Sequence, residues 1–235
     1  MNESSKKEFE EHAKQCAPRE ACGLTINVSG KEVFWPCRNI AENQTDFVMH
    51  PEDYATAEDY GEIMAVIHSH PISSAMPTPA DLVGCEGSGL PWFIFSIPSG
   101  VWKEITPKGY EAPLVGRPFC HGVLDCYSLV IDWYKRERKI ELPDFERREE
   151  WWNKGDNLYL DNFEKAGFYA IDPKDIQKGD VILMQIHSKT VNHAAIYLGN
   201  GVMLHHLMKR LSCREVYGGY FQKNTRLVIR HRGTN

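Results

Sequence analysis

The alternation of apolar and polar positions predicts a helix, a strand pair, a helix, a strand, a helix start and a strand through the first half of the chain. Ser4–Gln15 reads as helix. Cys22–Val28 and Glu32–Cys37 read as strands on either side of Ser29-Gly30, a hairpin signal. Pro51–Gly61 opens with proline and acidic residues, as helices do. Ile63–His68 is a short apolar run of the buried-strand kind, and Trp92–Ile97 is another strand. Between them, Thr78 is placed to cap a helix whose first position is Pro79.

In the second half, Leu129, Val130, Trp133 and Tyr134 recur at helical spacing, predicting a helix over Cys126–Arg138. A second helical region is expected over Phe145–Ala166. Strands follow at Val181–Ile186, His193–Leu198, Val202–His206 and Leu227–Arg230, with Gly199-Asn200-Gly201 as a hairpin turn. The intervening Ile97–Gly116 is rich in proline and glycine, so the domain boundary is set near Tyr110–Pro113. The expected organisation is an α/β domain over 1–110 and an α+β domain, helix first and sheet after, over 113–235.

Composition narrows the function classes. The 235 residues suffice for one large domain or two small ones, with 42% hydrophobic and 25% charged residues. A net charge of -5 gives no electrostatic case for nucleic acid or an anionic membrane. No stretch of about 18 apolar residues occurs, so no membrane span is expected. The opening MNESSKKEFEEHAKQ lacks the apolar core of an export signal, which predicts synthesis as a soluble cytoplasmic product. Seven cysteines with no C-x-x-C pair argue against both a disulfide framework and a thiolate zinc knuckle.

Two groups of residues carry chemistry. Strand periodicity puts His68 and His70 on one face, and the next helix start brings Asp81 toward them. Two imidazoles and a carboxylate leave one position open on a tetrahedral Zn2+, the pattern of a catalytic site where water is activated toward a carbonyl. In the second half, Asp125 caps a helix and puts Cys126 in its first turn, where the terminal partial charge favours a thiolate. His193 on one strand is a candidate base. His205 or His206 on the next strand can hold its other nitrogen, and a one-residue change of register swaps them. Trp133, Trp151 and Trp152 read as core aromatics or, less readily, as sugar-stacking surfaces.

The His68-Ser69-His70-Pro71 segment, with Asp81 after a ten-residue interval and Glu20 upstream, resembles the JAMM (MPN+) zinc peptidases over roughly residues 5 to 100. Asn39-Ile40-Ala41-Glu42-Asn43 with Phe47 is similar to the bacterial branch. The resemblance implies that Glu20 moves a proton and that Thr78, which stands where the family has serine, helps hold an oxyanion.

The segments Asp125-Cys126-Tyr127-Ser128-Leu129-Val130, Gly179-Asp180-Val181 and His193-Ala194-Ala195-Ile196-Tyr197-Leu198-Gly199-Asn200-Gly201 resemble the papain-like NlpC/P60 cysteine peptidases over roughly residues 113 to 230. The family's twelve-residue interval implies His205 as the third catalytic residue. Two departures stand out. Tyr127-Ser128 replaces Ser-Gly, and Phe119 replaces an upstream tyrosine whose hydroxyl helps at the oxyanion, leaving backbone N–H groups or His121 for that task.

The two domains in this order are similar to tail assembly proteins of lambda-like bacteriophages. That similarity implies a bifunctional hydrolase that cleaves peptidoglycan stem peptides and acts with other tail-tip proteins. It would be found in the host cytoplasm during assembly and at the virion tail tip, acting in the periplasm. The alternatives are an assembly factor with one or both sites inactive, and a cellular JAMM deconjugase with an accessory domain.

Overall fold

The computed structural model describes residues 1–234. The chain separates into two compact units, Met1–Glu111 and Ala112–Asn235, each with its own sheet.

In the first unit, α1 (Glu3–Cys16) is capped by the Asn2 side chain and leads into β1 (Cys22–Val28) and β2 (Lys31–Cys37). Then come α2 (Pro51–Tyr60), β3 (Glu62–His70), α3 (Pro79–Ser88), β4 (Trp92–Ser96) and β5 (Trp102–Ile105). The sheet order is β2-β1-β3-β4-β5, with only β3 and β4 parallel, α3 forming their crossover. Phe9 and Ala13 of α1 pack with Phe34, Ile67 and Phe95 on one face of the sheet. Leu24, Ile26, Val66 and Ile94 pack on the other with Ala57 of α2 and Cys85 of α3. The central strand is thus covered on both sides, which explains its unbroken apolar run. β5 lies inside the segment expected to be a linker. Its short pairing with β4 (Trp92↔Ile105, Phe95↔Trp102) edges the sheet, and a four-residue strand leaves too little alternation to stand out among prolines and glycines.

The second unit opens with α4 (Cys126–Trp133), which continues as one π-helical turn over Tyr134–Arg138, so the expected helix exists but changes pitch. The helical expectation for Phe145–Ala166 is corrected. That stretch holds only a 3-10 turn at Trp151–Asn153 and the five-residue α5 (Leu158–Asn162). Arg147 donates to the Phe145 and Gly122 carbonyls, side-chain bonds that compete with a helical ladder.

The rest is β6 (Phe168–Ile171), β7 (Val181–Met184), β8 (His193–Gly199), β9 (Val202–His205), β10 (Cys213–Val216), α6 (Gly219–Asn224) and β11 (Thr225–His231). They form an antiparallel sheet ordered β10-β9-β8-β7-β11-β6. Helix α4 packs on the face carrying Leu183, Ala194, Ile196 and Leu204.

The β8–β9 hairpin contains a bulge. Gly199 pairs with Val202, yet Ala195 pairs with His205, because the register shifts between Tyr197 and Gly199. Without that extra residue, 206 would stand opposite 195. The bulge therefore puts His205, rather than His206, on the face shared by residues 193 and 195. Positive φ at Gly199, Asn200 and Gly201 closes the turn.

Two candidate hydrolase sites

In the first unit, β3 carries His68 and His70, and register does the rest. Cys22 pairs with His68, so continuing β1 backward by two residues brings Glu20 beside His70. Ser69 fixes this alignment by accepting from the Ala21 N–H and donating its own N–H to the Ala21 carbonyl. Asp81 enters from the first turn of α3 through a reciprocal cap, in which Thr78 Oγ1 accepts from Asp81 N at 3.1 Å and Asp81 Oδ2 accepts from Thr78 N at 2.7 Å. Thr78 is exposed and acts here as the residue that aims Asp81.

The donor atoms converge. His68 Nε2 and His70 Nε2 are 3.2 Å apart, and they lie 3.1 and 3.5 Å from the two Asp81 oxygens. Ligands about 2.05 Å from a tetrahedral Zn2+ stand about 3.3 Å from one another, so these separations fit that ion. His70 Nδ1–H donates to the Ser74 carbonyl at 2.7 Å, leaving Nε2 as the lone-pair nitrogen. His68 Nδ1 is buried without a partner; its ring is held instead by stacking on Phe47 at 4.7 Å and by the edge of Trp92 at 5.6 Å.

Burial alone would raise the Asp81 pKa, but the histidine hydrogen bonds outweigh it and hold the carboxyl far below its usual range. Burial lowers the His68 pKa. For His70 the effect of burial is overcome by Asp81 and the Ser74 carbonyl, and the pKa rises. Burial, with Asp81 and Asp46 nearby, pushes Glu20 up to about 9, so without a cation it keeps a proton at neutral pH.

In the second unit, Asp125 caps α4 through Tyr127 N at 3.0 Å and Ser128 N at 2.9 Å. Its other oxygen takes Gly122 N at 3.0 Å and Arg147 Nε at 2.8 Å. Arg147 also donates to the Gly122 carbonyl, so the turn before Cys126 is clamped from both ends. Cys126 and His193 line one cleft of about 690 Å3 together with Trp152, Arg210 and Tyr220. Trp133 and Trp151 are buried in the core, leaving Trp152 as the half-buried tryptophan of that cleft.

His193 Nε2 lies 3.2 Å from His205 Nδ1, and His205 Nε2 lies 3.0 Å from Glu215 Oε2. A carboxylate only accepts, so His205 Nε2 carries the proton and donates to Glu215. His205 Nδ1 then accepts from His193 Nε2–H, and Nδ1 of His193 is left as the basic nitrogen. His206 is turned away, sharing a hydrogen bond with the Arg210 carbonyl at 3.1 Å and packing on Phe119.

The sulfur has a neighbour that the sequence reading did not contain. Cys126 Sγ is 3.1 Å from Tyr159 Oη. His121 donates instead to the carbonyls of Arg147 and Arg148, which occupies that N–H. The expected thiolate meets a correction: burial and Asp125 push the Cys126 thiol up to about 11, against the smaller pull of Tyr159, the Ala194 amide and Arg147. Burial with His205 and His206 brings His193 down to about 3. At neutral pH the pair stands as thiol and neutral imidazole, the form in which His193 can accept a proton.

Comparison with known proteins agrees with this division. The model of the prokaryotic homologs of the JAB domain matches residues 3–106, and that of the NlpC/P60 family matches residues 116–230. The tail tip assembly protein K of Escherichia phage N15 is 40% identical over 224 residues, 94% of this chain and 91% of that protein. The protein of the same name from Escherichia phage lambda is 44% identical over 185 residues, 78% of this chain and 89% of that protein. A solved JAB1/MPN domain protein from Archaeoglobus fulgidus is 24% identical over 46% of this chain and 87% of its own, with a TM-score of 0.31 that carries no argument. Among the described residues no helix is long and apolar enough to cross a membrane. On matches covering 94% and 78% of the chain, it belongs to the family of phage tail tip assembly protein K, with a JAB-like domain followed by an NlpC/P60 domain.

Proposed function

We propose that the chain is a bifunctional tail-tip hydrolase: a zinc-dependent peptidase or isopeptidase in the first unit and a cysteine endopeptidase in the second. The second would cleave peptidoglycan stem peptides between D-γ-glutamate and diaminopimelate. It would act in tail assembly and in opening the wall for genome entry, together with other tail-tip proteins. The observation that carries this reading is the relay Glu215–His205–His193, which leaves an unprotonated imidazole nitrogen in the same cleft as a helix-terminal cysteine.

In this reading His193 takes the Cys126 proton as the sulfur attacks the peptide carbonyl. The C–S bond forms, the C–N bond breaks, and the imidazolium returns its proton to the leaving amine. Water, deprotonated by His193, then releases the acyl group. In the first unit His68, His70 and Asp81 would hold Zn2+, which when bound supplies Lewis acidity toward a scissile carbonyl. Glu20 would hold and move the proton there, and the Thr78 hydroxyl, which accepts from Asp81 N, would donate its own proton toward developing charge.

The test is hydrolysis of soluble muropeptides by the full chain beside Cys126→Ala and His68→Ala. Loss with Cys126→Ala alone supports the assignment. Cleavage that survives Cys126→Ala refutes it, and an inert wild type leaves assembly without wall hydrolysis as the function.

A further inference from the structure

Tyr159 is an unusual neighbour for a nucleophile. It stands on α5, far from Cys126 in sequence, and its side chain reaches across the core so that Oη comes within 3.1 Å of Sγ. The residue is 9% exposed, and its ring is wedged between Tyr127 and Trp151 at centroid distances of 6.0 and 5.9 Å. A buried phenol requires a hydrogen-bond partner, and here the sulfur is that partner. The aromatic wedge fixes the ring, so the hydroxyl cannot swing away without unpacking the core.

We propose that Tyr159 is a catalytic residue of the second site, whose Oη–H donates a hydrogen bond to the Cys126 sulfur and stabilises the thiolate that attacks the substrate. This rests on the cysteine-peptidase reading above.

The direction of the bond follows from the acids involved. Burial together with Cys126 and Asp125 raises the Tyr159 phenol well above its ordinary value, so it remains protonated whenever the sulfur is charged. A protonated phenol facing a thiolate can only donate. The other groups acting on the sulfur are Asp125 beside it, which opposes the thiolate, and the Ala194 amide, together with Arg147 from the following loop, which favour it, while His193 from β8 lines the same cleft. Tyr159 is the neutral side chain among the groups that favour the thiolate. Its contribution therefore does not depend on ionic strength, and it grows as the sulfur becomes charged. A hydrogen bond to a charged group is stronger than one to its neutral form. Removing it favours the thiol over the thiolate by about one pKa unit.

The experiment reads the thiol and not the reaction. Full-length protein is alkylated with iodoacetamide between pH 5 and 10, and modification of Cys126 is followed by peptide mass spectrometry, which separates it from the other six cysteines of the chain. Tyr159→Phe keeps the ring, and thermal unfolding checks the packing. The range lies below the Cys126 pKa of about 11, so the rate tracks the small thiolate fraction, and the expected result is an alkylation rate about tenfold slower in Tyr159→Phe from pH 7 to 10. Replacing Tyr159 with 3-fluorotyrosine, a stronger donor of nearly the same shape, is expected to shift the rate the other way, about twofold faster over the same range. Shifts of opposite sign cannot come from loosened packing.

Superimposed profiles for wild type, Tyr159→Phe and the fluorinated variant overturn the inference even if muropeptides are cleaved. A Cys126 that resists alkylation in the wild type throughout the range overturns both this inference and the cysteine-peptidase reading. Should Tyr159→Phe unfold, the fluorotyrosine profile decides alone, and its coincidence with wild type is the negative result.

Discussion

Replacing Glu215 with glutamine tests the tautomer relay without disturbing the fold. The carboxylate accepts from His205 at 3.0 Å and, more distantly, from the Cys213 thiol at 4.0 Å, and its side chain is 36% exposed. Glutamine keeps an acceptor oxygen and the side-chain length but loses the charge. Two effects are removed: the penalty that keeps His205 Nδ1 unprotonated, and the attraction that grows when His193 becomes an imidazolium. A charge-assisted hydrogen bond is worth about 1.5–3 kcal/mol when shielded from water. Partial exposure and the positive Arg210 at 3.7 Å reduce that. A loss of about 1–2 kcal/mol in transition-state stabilisation follows, or about 5- to 30-fold in kcat, with little change in KM. The rate assay is muropeptide cleavage followed by chromatography. The structural assay is 15N NMR of the histidine rings, which should report a proton on Nε2 of both His193 and His205 in the wild type and a mixed population in Glu215→Gln. A kcat within twofold of wild type, or a wild-type His193 protonated on Nδ1, would refute the relay.

Other outcomes follow from other parts of the structure. The purified chain should bind about one Zn2+ by elemental analysis, and the double variant His68→Ala, His70→Ala none; equal zinc in both would remove the metal reading. Gly84 on α3 has no room for a side chain, since an added Cβ would fall 2.4 Å from the Trp92 ring, which in turn packs on His68. Gly84→Ala should therefore cost about 1–3 kcal/mol in denaturant unfolding and weaken zinc binding, whereas unchanged stability would mean that Trp92 is free to move. Asp125 is buried, and although burial raises its pKa, Arg147 and the cap amides outweigh that and depress it. A depressed carboxylate stabilises the fold above its unfolded pKa of about 4, and the contribution disappears as pH falls through the folded value. Thermal unfolding from pH 7 to 2.5 should show that acid loss in wild type and a weaker one in Asp125→Asn, which keeps the cap; identical slopes would count against the ion pair.

The sequence disclosed the grouping of residues at the two candidate sites more fully than their surroundings. His68, His70 and Asp81 were legible because a strand period and a helix cap are local rules, and the folded chain obeys both. Asp125 and Cys126 were legible for the same reason. The long-range partners were not. Glu215 lies on β10, a four-residue edge strand after an irregular stretch, and only its two-residue spacing from Cys213, the residue paired with His205, hinted at it. Tyr159 lay within a stretch whose scattered aromatics read as helical, whereas hydrogen bonds from Arg147 hold the start of that stretch in an irregular path. The thiol's charge state was misjudged because a helix terminus can be seen in a sequence, while the burial that outweighs it here is a property of the folded core.

The bulge in the β8–β9 hairpin has a consequence for how such proteins can vary. Hairpin tips usually tolerate gained or lost residues. Here the turn counts: removing Leu198, or adding one residue beside it, would rotate β9 by half a period against β8 and present His206 where His205 now stands. On the proposed cysteine-peptidase reading, length at this distant tip is therefore coupled to chemistry at the opposite end of the strands. Loop polymorphism that is silent elsewhere would act here as an off switch, reversible by a second change of one residue in the same turn.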